Sequence, residues 1–422
     1  TTLYVIDRAT GRLGTIGGVD GTPNPNLGAF TPIGAGLGFT LSATNDGGFD
    51  IVEAVGAAAA ANNGGRGVAF AALTASDNVT RLYTIDLATG VATAVGTLGA
   101  GATEIFGLAV VPETTVVVGS GLGANGDVRL LDPATGASRT QSPIVPFDGF
   151  RGGVRVAAGD VNGDGVPDAI VTAIEAGNGH VKVFDGTTGQ QLTGAIGSFF
   201  SFAGYSGSVN VGAGDVNGDG FADVLVVANG IPGVTTSING HVKAFSGRDG
   251  SLLSSFFAYE NFNGNTTVTA ADFNNDGVDE IVTAAAINGH VKVFTGNNNF
   301  TAFNPYLGDV SVAAGDFNGD GTPDLALASG RGVRLNVRTV DGRNGAQLNS
   351  FFVDNFGTTF VGGGTVGVSD FNRDGRYDLI VTPGVGTQAN AVALDPLTGA
   401  TLGSFSAFAN FQGGATVAGA RA

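Results

Sequence analysis

The chain has 422 residues, of which 73 are Gly, 43% are hydrophobic and only 13% are charged, with a formal net charge of -17. Lys182, Lys243 and Lys292 are its only lysines, which excludes a phosphate-tracking surface and hence nucleic acid as a partner. Cysteine is absent, so disulfides and thiolate chemistry are excluded, and the Gly-rich, charge-poor balance favours short strands and tight turns over long amphipathic helices.

No run of about 18 apolar residues occurs, and the Ala stretch at 57–61 is too short to cross a bilayer, so no membrane span is expected. The chain opens "TTLYVID", with neither Met nor a signal-peptide pattern. It is therefore expected to be a processed or truncated piece of a secreted, bacterial protein.

In chain order, the first element is a hairpin, "LYVIDRATGRL". Its form, strand, Asp-x-x-Thr-Gly, strand, returns as "LYTIDLATGVA", "VRLLDPATGAS", "VKVFDGTTGQQ", "VKAFSGRDGSL", "VRTVDGRNGAQ" and "AVALDPLTGAT", with a degenerate copy at "VKVFTGNNNF". Asp suits the first turn position and the closing Gly accepts the positive φ that a bulged hairpin needs. Residues 1–150 otherwise hold a low-complexity run at 56–67 and the segment "SATNDGGFD". That segment keeps Asp46, Gly47 and Asp50 of a later acidic pattern but has Ser42 and Thr44 in place of its ligands.

The acidic pattern begins at 159 with "GDVNGDGVPD" and returns as "GDVNGDGFAD", "ADFNNDGVDE", "GDFNGDGTPD" and "SDFNRDGRYD". Its first Asp lies at 160, 215, 272, 316 and 370, intervals of 55, 57, 44 and 54 residues. Such periods mark propeller blades or solenoid turns. Each unit reads strand A, acidic loop, strand B, then hairpin C–D, and the small apolar residues of the inner strands suit sheets covered on both faces.

The fold expected is all-β: a β-propeller of four-stranded antiparallel blades. Seven complete blades start near 48, 104, 154, 209, 266, 310 and 364. Both termini are expected to meet in an eighth or closing element, because unpaired strand edges invite pairing. Residues 1–150 would be blades without full acidic loops and 151–422 blades with them, in one continuous propeller, with aromatic pairs such as Phe199 and Phe200 pegging blade to blade.

Calcium takes six to eight oxygen ligands, which a short loop supplies from alternate positions around a Gly turn. In the first loop these are Asp160, Asn162, Asp164, the carbonyl of Val166 and Asp168; in the second Asp215, Asn217, Asp219, Phe221 and Asp223. The third offers Asp272, Asn274, Asp276, Val278 and Glu280, with Asp279 a bystander, and the fourth Asp316, Asn318, Asp320, Thr322 and Asp324. The fifth offers Asp370, Asn372, Asp374, the carbonyl of Arg376 and Asp378, and sets Arg373 and Arg376 beside the ion.

Three carboxylates held within about 4–6 Å repel one another unless a cation joins them. About five Ca²⁺ would bring the formal charge from -17 to -7. Magnesium fits less well, since it demands a strict octahedron and keeps its waters. An Asx-type turn explains one such loop but does not explain a distal carboxylate repeated five times.

These loops resemble the FG-GAP repeats of integrin α-chain propellers and of secreted bacterial proteins, over residues 150–422. The resemblance implies Ca²⁺ between the first two strands of each blade and a role in adhesion or ligand recognition. Residues 1–110, with "GGFDIVEAVG" and "LYTIDLATGVATAVGTLG", look like part of an uncharacterised bacterial secreted domain.

No catalytic residue is expected. His180, His241 and His290 share one "NGHVK" slot, on strands too widely splayed for a common metal, and no nucleophile, base and orienter can be assembled around them. The function expected is a non-enzymatic extracellular adhesion, surface or matrix protein whose protein or glycan ligand is unknown. Self-association into a filament or layer through the terminal strands, and a carbohydrate-binding or carbohydrate-active propeller, are the alternatives.

Overall fold

The computed structural model describes residues 3–16, 30–42, 48–52, 68–98, 114–174, 178–229, 240–260, 262, 264–294 and 299–421. The low-complexity run at 56–67, Asp46 and Gly47 of the loop echo and the tip of the degenerate hairpin lie outside the described residues. Among the described residues there is no α-helix, only a three-residue 3-10 turn at Asp354–Phe356, and no helix is long and apolar enough to cross a membrane. The chain divides into two compact units, Thr1–Pro112 with Gly163–Gly165, and Glu113–Asn162 with Val166–Ala422.

The first unit holds β1 (Leu3–Asp7), β2 (Arg12–Ile16) and β3 (Phe30–Pro32) in one antiparallel sheet. A second sheet is formed by β4 (Gly48–Val52), β5 (Val68–Thr74), β6 (Thr80–Ile85) and β7 (Ala92–Thr97). Leu13, Leu37, Ala69, Ala71, Ile85 and Leu87 are its buried core, and Phe39 stacks on Tyr83 with centroids 4.5 Å apart.

The second unit opens with β8 (Thr114–Ser120) and β9 (Val128–Leu131). Four strands then form the first complete sheet: β10 (Val154–Gly159), β11 (Asp168–Ala173), β12 (His180–Phe184) and β13 (Ser198–Phe200). The next is β14 (Val209–Gly214), β15 (Asp223–Ala228), β16 (His241–Phe245) and β17 (Leu252–Phe257). Then come β18 (Thr266–Ala271), β19 (Glu280–Ala285), β20 (His290–Phe294) and β21 (Asn299–Thr301). The fourth holds β22 (Val310–Gly315), β23 (Asp324–Ser329), β24 (Asn336–Val340) and β25 (Gln347–Phe352). The fifth holds β26 (Gly364–Ser369), β27 (Asp378–Pro383), β28 (Asn390–Leu394) and β29 (Thr401–Ser406). Last, β30 (Ala415–Arg421) pairs antiparallel with β8, completing a sixth sheet in the order β30-β8-β9.

The B strands β11, β15, β19, β23 and β27 are buried at every position, and the unit's core is divided among the seams between successive sheets. Ala157 and Val183 pack on Val209 and Val224 across one seam, and the series ends where Val117 and Val128 of the sixth sheet pack on Val154 and Val171 of the first. Each fully buried Val, Ile or Leu contributes about 1.5–3 kcal/mol. Small residues on the A strands let neighbours approach: a Cβ at Gly419 would lie 1.8 Å from the Val368 carbonyl oxygen.

A belt of side-chain hydrogen bonds runs from A strand to A strand. Arg155 Nη1 donates to the Val209 carbonyl (3.5 Å), Asn210 Nδ2 to Thr266 (2.5 Å) and Thr267 Oγ1 to Val310 (2.9 Å). The amide of Val366 donates to Ser311 Oγ (3.1 Å), that of Val417 to Thr365 Oγ1 (3.1 Å), and Thr416 Oγ1 to the Val154 carbonyl (2.9 Å). The sixth link returns to the first sheet, so the second unit is a closed β-propeller ring.

This ring differs from the expected layout. The four-stranded sheet expected to start near 48 is present as β4–β7, in the first unit. The C-terminal strand meets β8, whereas the sequence reading paired it with the N-terminal hairpin. Pairing with β8 engages all seven residues of the C-terminal strand, Ala415↔Ser120 through Arg421↔Thr114, and covers the β8 edge opposite β9.

Candidate metal centre

The acidic loops all connect strand A to strand B of their sheets, and the closing acid is the first residue of strand B in each. Asp168 pairs with Gly159, Asp223 with Gly214, Glu280 with Ala271, Asp324 with Gly315 and Asp378 with Ser369. Two left-handed residues bend each loop. The fourth position is Gly163, Gly218, Asn275, Gly319 or Arg373, with φ between 59° and 77°; the sixth is Gly165, Gly220, Gly277, Gly321 or Gly375, with φ between 82° and 87°.

The first Asp organises the bend. In the second loop Asp215 Oδ1 accepts the amides of Gly218 (2.7 Å) and Asp219 (3.1 Å), and Oδ2 that of Gly220 (2.8 Å). Asp316 repeats this with Gly319 (2.7 Å), Asp320 (3.2 Å) and Gly321 (2.8 Å). Asp272 and Asp370 keep the bonds to the fifth and sixth amides, at 3.1 and 2.8 Å and at 3.0 and 2.9 Å. Asn217, Asn318 and Asn372 each accept the amide two residues on with Oδ1.

The closing acid ties the loop to the rest of its sheet. Asp168 Oδ2 accepts the amides of Val161 and Asn162, both at 3.0 Å, while Oδ1 accepts Gly186 of the C–D hairpin at 2.8 Å. Asp223 joins Val216 (2.9 Å) to Gly247 (3.1 Å), and Asp324 joins Phe317 (3.0 Å) to Gly342 (3.1 Å). Asp378 accepts Phe371 (3.0 Å) and Asn372 (3.3 Å), and Pro396 at the corresponding hairpin position has no amide to give. Glu280, one methylene longer, takes the Phe273 amide (2.8 Å) and Asn274 Nδ2 (2.7 Å).

Burial pushes the Asp223 carboxyl up to about 7, with the charges of Asp215 and Asp219 adding to the rise. Burial likewise lifts Asp324 and Asp378 to about 6, the latter beside Asp374 and Asp370. Backbone amides oppose these shifts without cancelling them. Among the described residues, no three His, Asp or Glu side chains stand together as a formed metal cage. The donor set nevertheless suits a hard cation: oxygens at alternate positions, carboxylates with lone pairs beyond those that the amides use, and negative charge held back from water.

Asp279, expected to stand by, instead bridges two loops. Its Oδ2 accepts the Asp215 amide (2.9 Å) and its own amide donates to the Asp215 carbonyl (2.7 Å). Burial, then Asp215, Asp272 and Glu280, push it up to about 7. The arginines of the fifth loop also sit elsewhere than expected. Arg373 pairs with Asp132 at 3.2 Å, and the Arg376 guanidinium lies over the fourth loop, 3.4 Å from where a Cβ on Gly319 would stand.

The "NGHVK" slot is a packing device. His180 stacks on Phe200 and His241 on Phe257, both at 4.5 Å, with Nε2 against Ser198 (2.9 Å) and Ser255 (2.8 Å). Lys182, Lys243 and Lys292 donate to the carbonyls of Pro146, Ser201 and Ala258 and lie over the rings of Phe147, Phe202 and Tyr259. Those rings belong to an aromatic-x-x-aromatic repeat, Phe147 with Phe150, Phe202 with Tyr205, Tyr259 with Phe262, Phe303 with Tyr306 and Phe408 with Phe411. Sequence reading passed over this repeat, although its three-residue spacing was present. Of the strand-D pairs, Phe199 and Phe256 peg the next sheet at Phe245 (4.8 Å) and Phe294 (4.7 Å), while Phe200 and Phe257 stay 62% and 54% exposed.

Several solved structures are similar to the chain at low identity. The V. cholerae biofilm matrix protein Bap1 is 19% identical over 60% of this chain and 39% of its own, with a TM-score of 0.32. The dihydro-heme d1 dehydrogenase NirN is 17% identical over 71% and 55%, with a TM-score of 0.35. An Agrocybe aegerita lectin that recognises non-reducing terminal N-acetylglucosamine is 15% identical over 73% and 95%, with a TM-score of 0.39. The chain thus spans 39% of the length of Bap1 and 55% of that of NirN. Family comparison is more specific: residues 1–109 match a domain of unknown function, DUF4394. Residues 160–226 and 272–327 match the FG-GAP-like repeat and 310–346 the FG-GAP repeat, so the chain carries a DUF4394 match followed by FG-GAP-like repeats on its propeller ring.

Proposed function

We propose that the chain is a non-enzymatic calcium-binding β-propeller that works outside the cell as an adhesion, surface or matrix protein. Calcium would be held at five A–B loops by the first, third and fifth side chains, the seventh carbonyl and the closing acid. The observation that carries this reading is the repetition of one oxygen-donor pattern at one structural position, with burial disfavouring the ionised form of the closing acids Asp223, Asp324 and Asp378. Bound calcium would supply the missing positive charge and draw the loop oxygens together. Extracellular modules of this kind bind with dissociation constants of roughly 10⁻⁴–10⁻³ M, so the loops would fill outside a cell and empty inside it.

Calorimetric titration of metal-stripped protein, with melting followed in parallel, tests the proposal. About five Ca²⁺ per chain and a large rise in Tm are expected. The absence of binding heat together with a chelator-insensitive Tm refutes it.

A second reading, binding of a glycan, is favoured by the rings of Phe200 and Phe257, each exposed beside an imidazole and a seryl hydroxyl. An apolar ring face edged by hydrogen-bonding groups suits a sugar. Retention on a glycan panel that is lost on Phe257→Ala supports it, and a blank panel excludes it.

A further inference from the structure

The fourth loop carries a cation of its own. Arg343, in the C–D hairpin of the same sheet, reaches back over the loop and pairs through Nη2 with Asp320 Oδ1 at 3.2 Å. The same Nη2 donates to the Asp320 carbonyl, and Nε donates to Thr322 Oγ1 at 2.9 Å. The guanidinium thus holds the fifth-position carboxylate and the seventh residue together, two of the places from which the loop would ligate calcium. Arg376 adds a second guanidinium above Gly319.

The corresponding carboxylates elsewhere accept the seventh-position amide, as Asp320 does from Thr322 at 3.0 Å, but lack the arginine. Asp219 accepts the Phe221 amide and Asn217 Nδ2, Asp276 the Val278 amide, and Asp374 the Arg376 amide and Asn372 Nδ2. Among the described residues none of these three pairs with a cation. The hairpin residue equivalent to Arg343 in the second sheet, Arg248, lies over the Phe221 ring at 5.6 Å instead of on a carboxylate.

We propose that Arg343 is a built-in counter-cation that calcium must displace from the fourth loop, which makes that loop bind calcium more weakly than the second, third and fifth. This rests on the calcium reading above. A half-exposed ion pair of about 1 kcal/mol corresponds to roughly a five- to tenfold loss of affinity. Displacement is mechanically simple, because the Arg343 side chain is 52% exposed and has solvent to move into.

The test compares calcium isotherms of metal-stripped wild type, Arg343→Gln, Asp320→Asn and the double variant, with Tm measured in chelator and in millimolar calcium. Arg343→Gln is expected to tighten one site about five- to tenfold, leave the others unchanged, and lower Tm only in chelator. The tightening should vanish in the Asp320→Asn background, which assigns it to the fourth loop. The inference is overturned if wild type binds calcium and Arg343→Gln gives the same isotherm, or if the gain survives Asp320→Asn. If no chain binds calcium at all, the calcium reading itself falls.

Discussion

The acidic A–B loops and most of the C–D hairpins begin with an Asp that folds its carboxylate onto backbone amides, yet their charge balance differs. In the hairpin, Asp395 Oδ1 accepts the amides of Leu397 and Thr398 and the Thr398 hydroxyl, and the Gly399 amide closes the turn on the Asp395 carbonyl at 2.8 Å. One half-buried carboxylate meets three donors, and the turn needs nothing more. The A–B loop has the same kind of first Asp but adds two further carboxylates, one buried at the start of strand B. A turn alone explains the hairpin; it leaves the surplus charge of the loop without a purpose.

Chelation should break the comparison most visibly. If calcium fills the loops at about 100 times its dissociation constant, each site contributes about 2.7 kcal/mol. Removing it should lower Tm by about 10 °C or more, measured by calorimetry with and without chelator. A hairpin has no share in that loss.

Paired substitutions sharpen it. Asp276→Asn should remove one calcium from the isotherm and roughly one site's share of the metal-dependent Tm rise. Asp395→Ala, at a hairpin, should cost about 1 kcal/mol through lost turn bonds and leave the calcium count intact.

pH separates the two turns next. Asp223, Asp324 and Asp378 have folded-state values of about 7, 6 and 6, above the ordinary 3.8. The folded protein therefore binds more protons than the unfolded chain between about pH 4 and 7, and metal-free stability falls as pH rises through that window. Tm of the chelated protein should increase by a few degrees from pH 8 to pH 5, and calcium should abolish or reverse the trend. In the hairpin at Asp249 the hydroxyl and amide of Ser251 lower the carboxyl instead, so it adds nothing to that rise.

The smallest effect expected is a control outside both turns. Thr416→Val removes the bond to the Val154 carbonyl and should cost about 1 kcal/mol, equally in calcium and in chelator. An unequal cost would mean that ring closure and loop filling are coupled.

Much of this was legible in the sequence because it is local. The hairpins at Asp7, Asp86, Asp132, Asp185, Ser246, Asp341 and Asp395 all close with the Gly amide on the first carbonyl, at 2.7–2.8 Å, as the spacing of Asp and Gly required. The sixth-position Gly of each acidic loop takes the positive φ expected of it. What the sequence left open was contact between units of the repeat. Asp279 was read as idle because its partner, the Asp215 amide, is in the preceding sheet. Arg343 drew no notice for a related reason: the C–D hairpin folds over a loop about twenty residues upstream. The destination of the C-terminal strand depended on which edge stayed open, which apolar pattern alone does not encode.

The pairing of β30 with β8 also sets an order of events. The two strands are separated by nearly three hundred residues, so this pairing is the most distant contact of the ring and carries the largest loop-closure entropy. While the chain is being made from its N-terminal end, the seams between sheets that follow one another in sequence can form as their strands emerge, but β8 and β9 must wait with one edge uncovered. The ring's durability is thus decided in the final moments of its making, when a strand of seven residues arrives to join its two ends.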